Sequence, residues 1–375
     1  MNDHLTTELR RQLAAQADDW QGAPLTLDGV RGRARTIRRR RHATVAGVTA
    51  AVVLGVAIPM GVALGGRTDS EIQPAPPGPS EVVDTANPVV PGSELGVPYV
   101  EDGVLSLPTN AELLLGEQVT GGSVVGGTVF VLQGDRLLQV DADGGVVDSI
   151  NITEAGIATS PDQSTIAYIR TGDQQLVVED GAGVITELGV REDIAELVSV
   201  VGTTVWFNRG TDGFDVAQNG GPVVQRPKGR SITDVAPNGR VSVVTSVDLT
   251  AGGACSAVVD GSTTVHQSCD YTYGRFSPDG EHQSAHPSYR SGIGDTFVAI
   301  LDTEGEETAR WEAARGDFIR SSTWEDPEHL LVTTYSYDEG WSVIRLGVDG
   351  SREVALGPND ANDDVTPSYV VFGAS

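Results

Sequence analysis

The chain has 375 residues, and its 25 Lys and Arg against 52 Asp and Glu give a formal net charge of −27. Such an excess of negative charge repels nucleic acid and anionic lipid headgroups, which we exclude as partners of the acidic part. The charge is unevenly distributed, with +4 over residues 1–42, none over 43–66 and −31 over the rest. This asymmetry divides the chain into regions with different expected environments.

The first 42 residues are basic and carry two short helical patterns. Leu5, Leu9 and Leu13 recur at the spacing of an amphipathic helix, and residues 21–24 end that helix with Gly and Pro. A second helix is predicted over residues 25–41, with Arg on one side. We interpret residues 1–42 as a cytoplasmic tail, which either lies on the membrane surface or binds a cytoplasmic protein.

Residues 43–66 form an apolar segment without a charged residue. Its length suffices to cross a bilayer, which takes about 20 apolar residues. The preceding run Arg38, Arg39, Arg40 and Arg41 belongs in the cytoplasm by the positive-inside rule. The long region before the segment and the lack of a clean A-x-A site after it favour an uncleaved anchor over a signal peptide. We predict a single-pass protein of the cell membrane whose C-terminal domain is extracytoplasmic and whose bilayer contact is residues 43–66.

Residues 27–41 have the pattern L-D-x-V-R-x-R-x-R-x-x-R-R-R-R and are followed by the predicted membrane segment. This arrangement is similar to the N-terminal part of actinobacterial membrane proteins that resemble membrane-bound anti-sigma factors. That resemblance implies an alternative function as a transmembrane signal transducer acting through residues 1–42. The zinc-type signature H-x-x-x-C-x-x-C is absent, because no cysteine precedes Cys255.

Residues 67–96 are rich in Pro, Gly, Ser and acids, which predicts an extended linker before a folded domain over 97–375. In that domain one unit recurs: an apolar strand, a turn that often contains Pro-Asp or Pro-Asn, and a second strand. Its copies begin at Gly122, Ile157, Leu197, Asp234, Gly274 and Ser322. The mean spacing of about 40 residues is typical of a four-stranded propeller blade.

The two ends of this domain each carry strands without a local partner. A hairpin is predicted over residues 98–107 and a single strand over 368–372. One blade built from both ends would close the ring without a free edge. We therefore predict an all-β domain, a β-propeller of six or seven four-stranded blades, with a pair of β-sandwiches as the alternative.

The turn Ser277-Pro278-Asp279-Gly280 and the acidic hairpins around it resemble the TolB-like and WD-repeat-like propellers. The resemblance implies the propeller fold and a repeat architecture. It implies no chemistry, and the full WD signature is missing.

The two cysteines, Cys255 and Cys269, flank a hairpin whose turn lies near Gly261. Because they are almost symmetric about that turn, they can lie opposite each other at a separation that suits a disulfide. Such a pair is oxidised outside the cytoplasm. We predict a structural disulfide.

The sequence contains two groups of candidate metal ligands, and neither group is complete. Glu281, His282 and His286 lack a further ligand in sequence, and Asp141-Ala142-Asp143-Gly144 is typical of a hairpin turn rather than a calcium loop. We predict no metal site and no cofactor. There is no G-x-S-x-G or phosphate-binding loop, so no catalytic residue is assigned. A propeller hydrolase or lyase, with a site assembled from distant blades, is the second alternative function.

Loops that join the second and third strands of every propeller blade lie on one face. In this chain they hold the candidate binding residues Arg170, Arg209, Tyr289, Arg290, Tyr335, Tyr337 and Trp341. Exposed aromatic and Arg side chains favour binding, although ordinary loop variability would give a similar pattern. We predict a membrane-anchored extracytoplasmic propeller that binds or senses an unidentified protein or small ligand.

Overall fold

The computed structural model describes residues 90–115, 119–190, 194–210, 213–218, 229–248, 253–289, 294–359 and 367–373. The predicted cytoplasmic tail, the apolar segment 43–66 and most of the predicted linker lie outside these residues. Within the described ranges, no helix has the length and apolar character needed to span a membrane.

The described residues form 27 β-strands. The first fourteen are β1 (Val90–Pro91), β2 (Tyr99–Glu101), β3 (Val104–Ser106), β4 (Glu112–Leu114), β5 (Val119–Val125), β6 (Thr128–Gln133), β7 (Arg136–Val140), β8 (Val146–Thr159), β9 (Thr165–Arg170), β10 (Gln175–Asp180), β11 (Ile185–Val190), β12 (Glu196–Val201), β13 (Thr204–Asn208) and β14 (Phe214–Ala217). The others are β15 (Ser231–Val235), β16 (Val241–Asp248), β17 (Gly253–Asp260), β18 (Thr263–Ser268), β19 (Tyr271–Phe276), β20 (Gln283–Pro287), β21 (Phe297–Leu301), β22 (Glu307–Glu312), β23 (Phe318–Trp324), β24 (His329–Ser336), β25 (Gly340–Gly347), β26 (Arg352–Asn359) and β27 (Tyr369–Val371).

These strands form six hydrogen-bonded sheets in the described part, and five of the sheets have three to five strands, mainly four. The sixth has seven strands because the long strand β8 belongs to two successive antiparallel meanders. Its first half, from Val146 to Asn151, pairs with β7, and its second half pairs with β9.

We number the antiparallel meanders in order around the ring of sheets. Meander 1 contains β27 and β2–β4, meander 2 runs from β5 to the first half of β8, meander 3 from its second half to β11, meander 4 contains β12–β14, meander 5 β15–β18, meander 6 β19–β22 and meander 7 β23–β26.

The predicted Pro-Asp and Pro-Asn turns join the first two strands of three meanders. In Ser160–Gln163, Ala236–Gly239 and Ser277–Gly280, the amide of the fourth residue donates to the carbonyl of the first at 2.9, 2.9 and 2.8 Å. Pro at the second position fixes φ for the turn. The fourth residue has a positive φ of 55, 86 and 76° respectively, which explains why Gly occupies two of the three positions. The turn signals in the sequence are therefore confirmed.

The two ends of the domain meet in meander 1. β27 pairs antiparallel with β2, and the amide of Phe372 donates to the carbonyl of Pro98 at 3.0 Å. Buried apolar clusters lie between consecutive meanders throughout the described part, and one of them packs Trp341 of meander 7 against Tyr369 of meander 1. The meanders thus close a ring, and the architecture is an all-β propeller. The predicted closure by both chain ends is confirmed.

The end of the predicted linker belongs to this fold. β1 pairs in parallel with β26 at the outer edge of meander 7. Leu95 and Val97 are buried in the cluster between meanders 7 and 1. Residues 90–96 are therefore part of the packed domain, because their apolar side chains complete an interface between meanders.

The predicted disulfide is present. Cys255 lies in β17, and Cys269 directly follows β18, the next strand of meander 5. Their Cα atoms are 4.0 Å apart across the hairpin. The pairing inferred from the symmetry of the hairpin is confirmed.

Candidate functional site

The inner strands of the meanders surround an open cavity of about 940 Å³. Its walls come mainly from β5, β8, β12, β23 and β27. A second cavity of about 920 Å³ adds β15, and the two share lining residues that include Glu196, Arg275 and Arg320. Because every meander contributes its inner strand, these two cavities are the central channel of the ring.

The channel opens on the face that carries the predicted binding loops. The second cavity is also lined by Gly210, Val247, Gly253 and Ser288, which flank connections between the second and third strands of meanders 4, 5 and 6. The loop face inferred from the sequence and the channel mouth are therefore the same region of the fold.

The sequence-predicted binding residues lie around this mouth rather than in it. The guanidinium groups of Arg170 and Arg209 are engaged by nearby carboxylates. Tyr289 and Tyr337 are 61% and 56% exposed, and Arg290 lies outside the described residues. None of the four described side chains lines either cavity.

Tyr335 and Trp341 differ from the prediction. The sequence places them in an exposed loop, but β24 continues to Ser336 and β25 begins at Gly340. Tyr335 and Trp341 are therefore cross-strand neighbours, 6% and 0% exposed, and both rings contact Phe318. The expectation that these two aromatic residues are exposed is wrong, because their side chains fill the interface between meanders 7 and 1.

Two arginines line the channel. Arg275 on β19 and Arg320 on β23 are exposed, belong to neighbouring meanders and line both cavities. In the described part of the chain, neither guanidinium makes a direct hydrogen bond or salt bridge, but the positive charge of Arg275 acts on the buried carboxylate of Asp234. Elsewhere Arg310 and Arg345 bind carboxylates directly. The sequence prediction missed this pair, although both arginines occupy the inner strand of a repeated unit.

The other charged side chains of the channel are fewer and more widely placed. Arg230 lines the second cavity, and Asp102 lines the first. The carboxylate of Glu196 accepts a hydrogen bond from Asn208 at 2.9 Å. These carboxylates belong to meanders 1 and 4, so the side of the channel formed by meanders 6 and 7 is cationic.

A Ser-His-Asp group joins meanders 6 and 7. Ser322 Oγ lies 3.2 Å from His286 Nε2, and His286 Nδ1 lies 2.9 Å from Asp295 Oδ2. The connectivity is that of an acyl-transfer triad. The Nδ1–Oδ2 contact, however, lacks the direction of an N–H···O hydrogen bond, and Ser322 pairs with Val332 inside a strand rather than lying on a sharp turn. We interpret the group as a link between the two meanders.

Gly274 makes room for that link. A Cβ at this position would lie 3.3 Å from His286 Nε2 and would clash with the Ser284 hydroxyl. His282, the other histidine considered as a ligand, stacks against Trp324 with ring centroids 6.5 Å apart. Spacing along the chain could not have revealed the Ser322 contact, because 36 positions separate it from His286.

A closed ring of antiparallel meanders around an open channel defines a β-propeller of the WD-repeat-like class. No protein-family model matches the chain, and no curated protein sequence matches it.

Several solved structures are similar in fold. The β-propeller domain of Cps50 (Swd1) from Myceliophteria thermophila aligns at 10% identity over 68% of this chain and 88% of that one, with a TM-score of 0.47. Hsv2 of Kluyveromyces lactis aligns at 12% identity over 61% and 73%, with a TM-score of 0.43. YCF48 bound to a D1 peptide aligns at 9% identity over 75% and 90%, with a TM-score of 0.45. At these identities the similarity concerns the fold alone.

Proposed function

We propose that this protein is a membrane-anchored propeller that binds a ligand or partner outside the cytoplasm, at the mouth of its central channel. The observation that carries the proposal is the open central channel, whose lining includes the exposed side chains of Arg275 and Arg320. The β-propeller fold is consistent with a binding or scaffold module. Pockets of several hundred Å³ with a few polar groups are the usual form of a ligand site.

The membrane anchor rests on the sequence. The uncharged segment 43–66, the Arg run before it and the change of charge across it support one orientation. The disulfide between Cys255 and Cys269 supports an oxidising compartment for the propeller.

We also infer that the ring has seven blades. Both halves of β8 belong to a complete meander, and inner strands from all seven meanders line the channel. Seven blades is the higher of the two numbers that the repeated units in the sequence predict.

The topology is tested by labelling introduced cysteines in intact cells with a membrane-impermeant maleimide. Ser351→Cys lies at an exposed turn of the propeller, and Thr6→Cys lies in the predicted tail. We expect Ser351→Cys to react before lysis and Thr6→Cys only after it. The opposite pattern, or no labelling of Ser351→Cys before lysis, would overturn the proposed orientation.

The binding site is tested with the full-length protein in detergent and chemical cross-linking in envelope extracts. Thr120→Trp places a large side chain at an exposed position of the channel, and Thr263→Trp places it on the outer strand β18. We expect at least one cross-linked species to be captured by the wild type and by Thr263→Trp but lost with Thr120→Trp. Identical captured sets for all three proteins would exclude the channel mouth as the site.

The alternative functions receive no such support. The transducer depends on residues 1–42, which lie outside the described residues. The hydrolase needs a catalytic site assembled from distant blades, and the Ser322 group that joins meanders 6 and 7 has the geometry of a structural link.

A further inference from the structure

We propose that the central channel binds a small uncharged amphiphile, a molecule with an acyl chain as its apolar body and a head group that carries hydroxyls. The apolar body lies on the wall formed by meanders 1–4, and the head group faces the hydroxyl side chains of meanders 5–7. The inference rests on the proposed function, because it names the class of ligand that the channel binds. It is carried by the uneven lining of the channel and by one glycine, Gly121.

Meanders 1–4 give the channel an apolar half. The cavity-lining residues of these meanders are mainly aliphatic or glycine, and those on inner strands include Val119, Ala155, Ile157, Val370 and Val371. Apolar contact is non-directional and scales with the area removed from water, so such a wall suits a flexible acyl chain.

Meanders 5–7 give the channel a half that is rich in hydroxyl groups. Apart from Thr120 and Ser368, all Ser and Thr residues that line the two cavities belong to these three meanders. One residue of each meander, namely Ser231, Thr272 and Ser321, has a hydroxyl that makes no hydrogen bond within the described residues. Because a hydroxyl both donates and accepts, these groups match hydroxyls on a ligand.

Gly121 on β5 lies in the apolar half and has no structural reason to be glycine. Its φ is outside the left-handed region, and a Cβ at this position would meet no atom within 4 Å. Its neighbour Gly122 differs, because a Cβ there would lie 2.7 Å from the ring of Phe372. A glycine inside a strand weakens the strand and often marks the close approach of a ligand.

The β-bulge beside Gly121 does not explain the glycine either. The register of β5 shifts between Val119 and Gly121. The same shift occurs in β12, β15 and β23, where the position of Gly121 is occupied by Ser199, Asp234 and Ser321. This bulge therefore accepts residues with a side chain, and the glycine in β5 serves to leave the backbone open to the channel.

The size and charge of the channel limit the ligand. A cavity of about 940 Å³ is within the range of small-molecule sites. Carboxylate and guanidinium side chains both line it, and the charge of Arg275 acts on the buried carboxyl of Asp234. The lining thus has no field of one sign, and a neutral head group that donates and accepts hydrogen bonds matches it.

The experiment uses the full-length protein in lipid nanodiscs, so that no free detergent competes, and a monoacylglycerol with a photoactivatable diazirine in its acyl chain. Peptide mass spectrometry locates the labelled residues and separates the channel from the predicted membrane segment. The variants are Gly121→Ala and Gly121→Leu. The matched control is Gly357→Leu on the outer strand β26, where a Cβ also meets no atom within 4 Å and which lines neither cavity.

We expect the probe to label inner strands of meanders 1–4 in the wild type. Gly121→Ala should reduce this labelling about twofold and Gly121→Leu about tenfold, because the added side chain fills the space of the acyl chain. Gly357→Leu should be labelled like the wild type. Neither Leu variant should have a lower melting temperature than the wild type, since each replaces a strand glycine that has free space around it.

No labelling of the channel in the wild type, unchanged labelling in Gly121→Leu, or an equal loss in Gly357→Leu would overturn the inference. If Gly121→Leu lowers the melting temperature, Gly121→Ala decides. A loss of labelling at an unchanged melting temperature supports the inference, and unchanged labelling overturns it.

The head group is tested by combining Ser231→Ala, Thr272→Val and Ser321→Ala, which leave the apolar half intact. We expect labelling of the channel to fall about tenfold, because three hydroxyl partners are removed. Unchanged labelling would exclude the assigned role of the hydroxyl half.

Failure here is distinguishable from failure of the proposed function. If the probe does not label the channel but Thr120→Trp still changes the cross-linked set, the channel remains the binding site and only the amphiphile is excluded. If Thr120→Trp changes nothing, the channel itself is excluded.

Discussion

Arg345 donates to both carboxylate oxygens of Glu325, with Nε–Oε2 and Nη2–Oε1 distances of 2.5 and 2.9 Å, and both side chains are 7% exposed. The same two residues bind the end of the predicted linker. Arg345 Nη1 donates to Ser93 Oγ at 3.1 Å, and the amide of Gly96 donates to Glu325 Oε1 at 2.7 Å. The pair thus holds residues 93–96 against meander 7, where the chain enters the propeller.

Arg345→Ala should destabilise the propeller by about 3–5 kcal/mol, because the Glu325 carboxylate would remain buried without its cation. The measurement is urea unfolding of the full-length protein, followed by tryptophan fluorescence. Arg170→Ala removes a more exposed ion pair and should change stability by less than about 1 kcal/mol. Equal effects of the two substitutions would contradict the assigned role of Arg345.

Replacing Cys255 and Cys269 by Ser should lower stability by about 3 kcal/mol, since the disulfide closes a loop of about 15 residues in the unfolded chain. Chemical unfolding of the double variant provides the value. A thiol reductant should lower the stability of the wild type to that of the variant and leave the variant unchanged. If the reductant does not change the stability of the wild type although the variant is destabilised, the effect of the variant would come from lost side-chain packing and not from the disulfide.

Asp234→Asn should stabilise the protein at high pH and leave it unchanged at low pH. Burial raises the pKa of Asp234 from 3.8 to about 6, while the positive charge of Arg275 and the amide of Phe276, 2.7 Å from Oδ2, act in the opposite direction. A carboxyl with a raised pKa holds its proton more tightly when folded. Its stabilisation is therefore complete below pH 3.8 and is lost as the pH rises through about 6.

The shift corresponds to about 3 kcal/mol, which Asn, as a neutral acceptor for Phe276, would restore above pH 6. Melting temperatures between pH 4 and pH 8 measure the difference between variant and wild type. Asp270→Asn, at an exposed position, controls for the change in net charge. A difference that does not grow with pH would exclude a raised pKa at Asp234.

Ser322→Ala should cost about 1 kcal/mol through loss of the hydrogen bond to His286. We expect a fluorophosphonate probe to label neither the wild type nor this variant, because the group is a link between meanders. Ser321→Ala, a neighbour that also lines the channel, is the control for labelling. Labelling of the wild type and of Ser321→Ala that disappears in Ser322→Ala would instead establish a nucleophile.

Trp341→Ala should destabilise the propeller by about 3–5 kcal/mol, because a fully buried aromatic side chain is removed from the interface of meanders 7 and 1. Tyr337→Ala, at an exposed turn four residues before Trp341, should have little effect. Thermal unfolding compares the two. Similar melting temperatures would contradict the burial of Trp341.

The local elements of the fold were predictable because their causes lie in adjacent residues. Turns such as Ser277–Gly280 depend on a proline that restricts φ and a glycine that tolerates a positive value. The Cys255–Cys269 pair belongs to one hairpin, so its symmetry about the turn is visible in the sequence. The spacing of the repeated unit and the unpaired strands at both ends likewise indicated a closed ring.

The site could not be predicted in the same way. Periodicity identifies inner strands, but the residue omitted from each ladder depends on how neighbouring meanders pack. Arg275 and Arg320 line one channel only because their meanders are neighbours in the ring. Tyr335 and Trp341 turn away from solvent because two strands are longer than their turn signals indicate.

The amino-acid sequence by itself determined the turns, the strand repeat, the cysteine hairpin and the separation of basic and acidic regions, since each depends on neighbouring residues or on composition. Only the tertiary structure decided that Arg345 and Glu325 hold residues 93–96, that aromatic residues expected on the surface fill an interface, and that Arg275 and Arg320 line one central channel. Those contacts join residues far apart in the chain, and the packing of meanders around the ring brings them together.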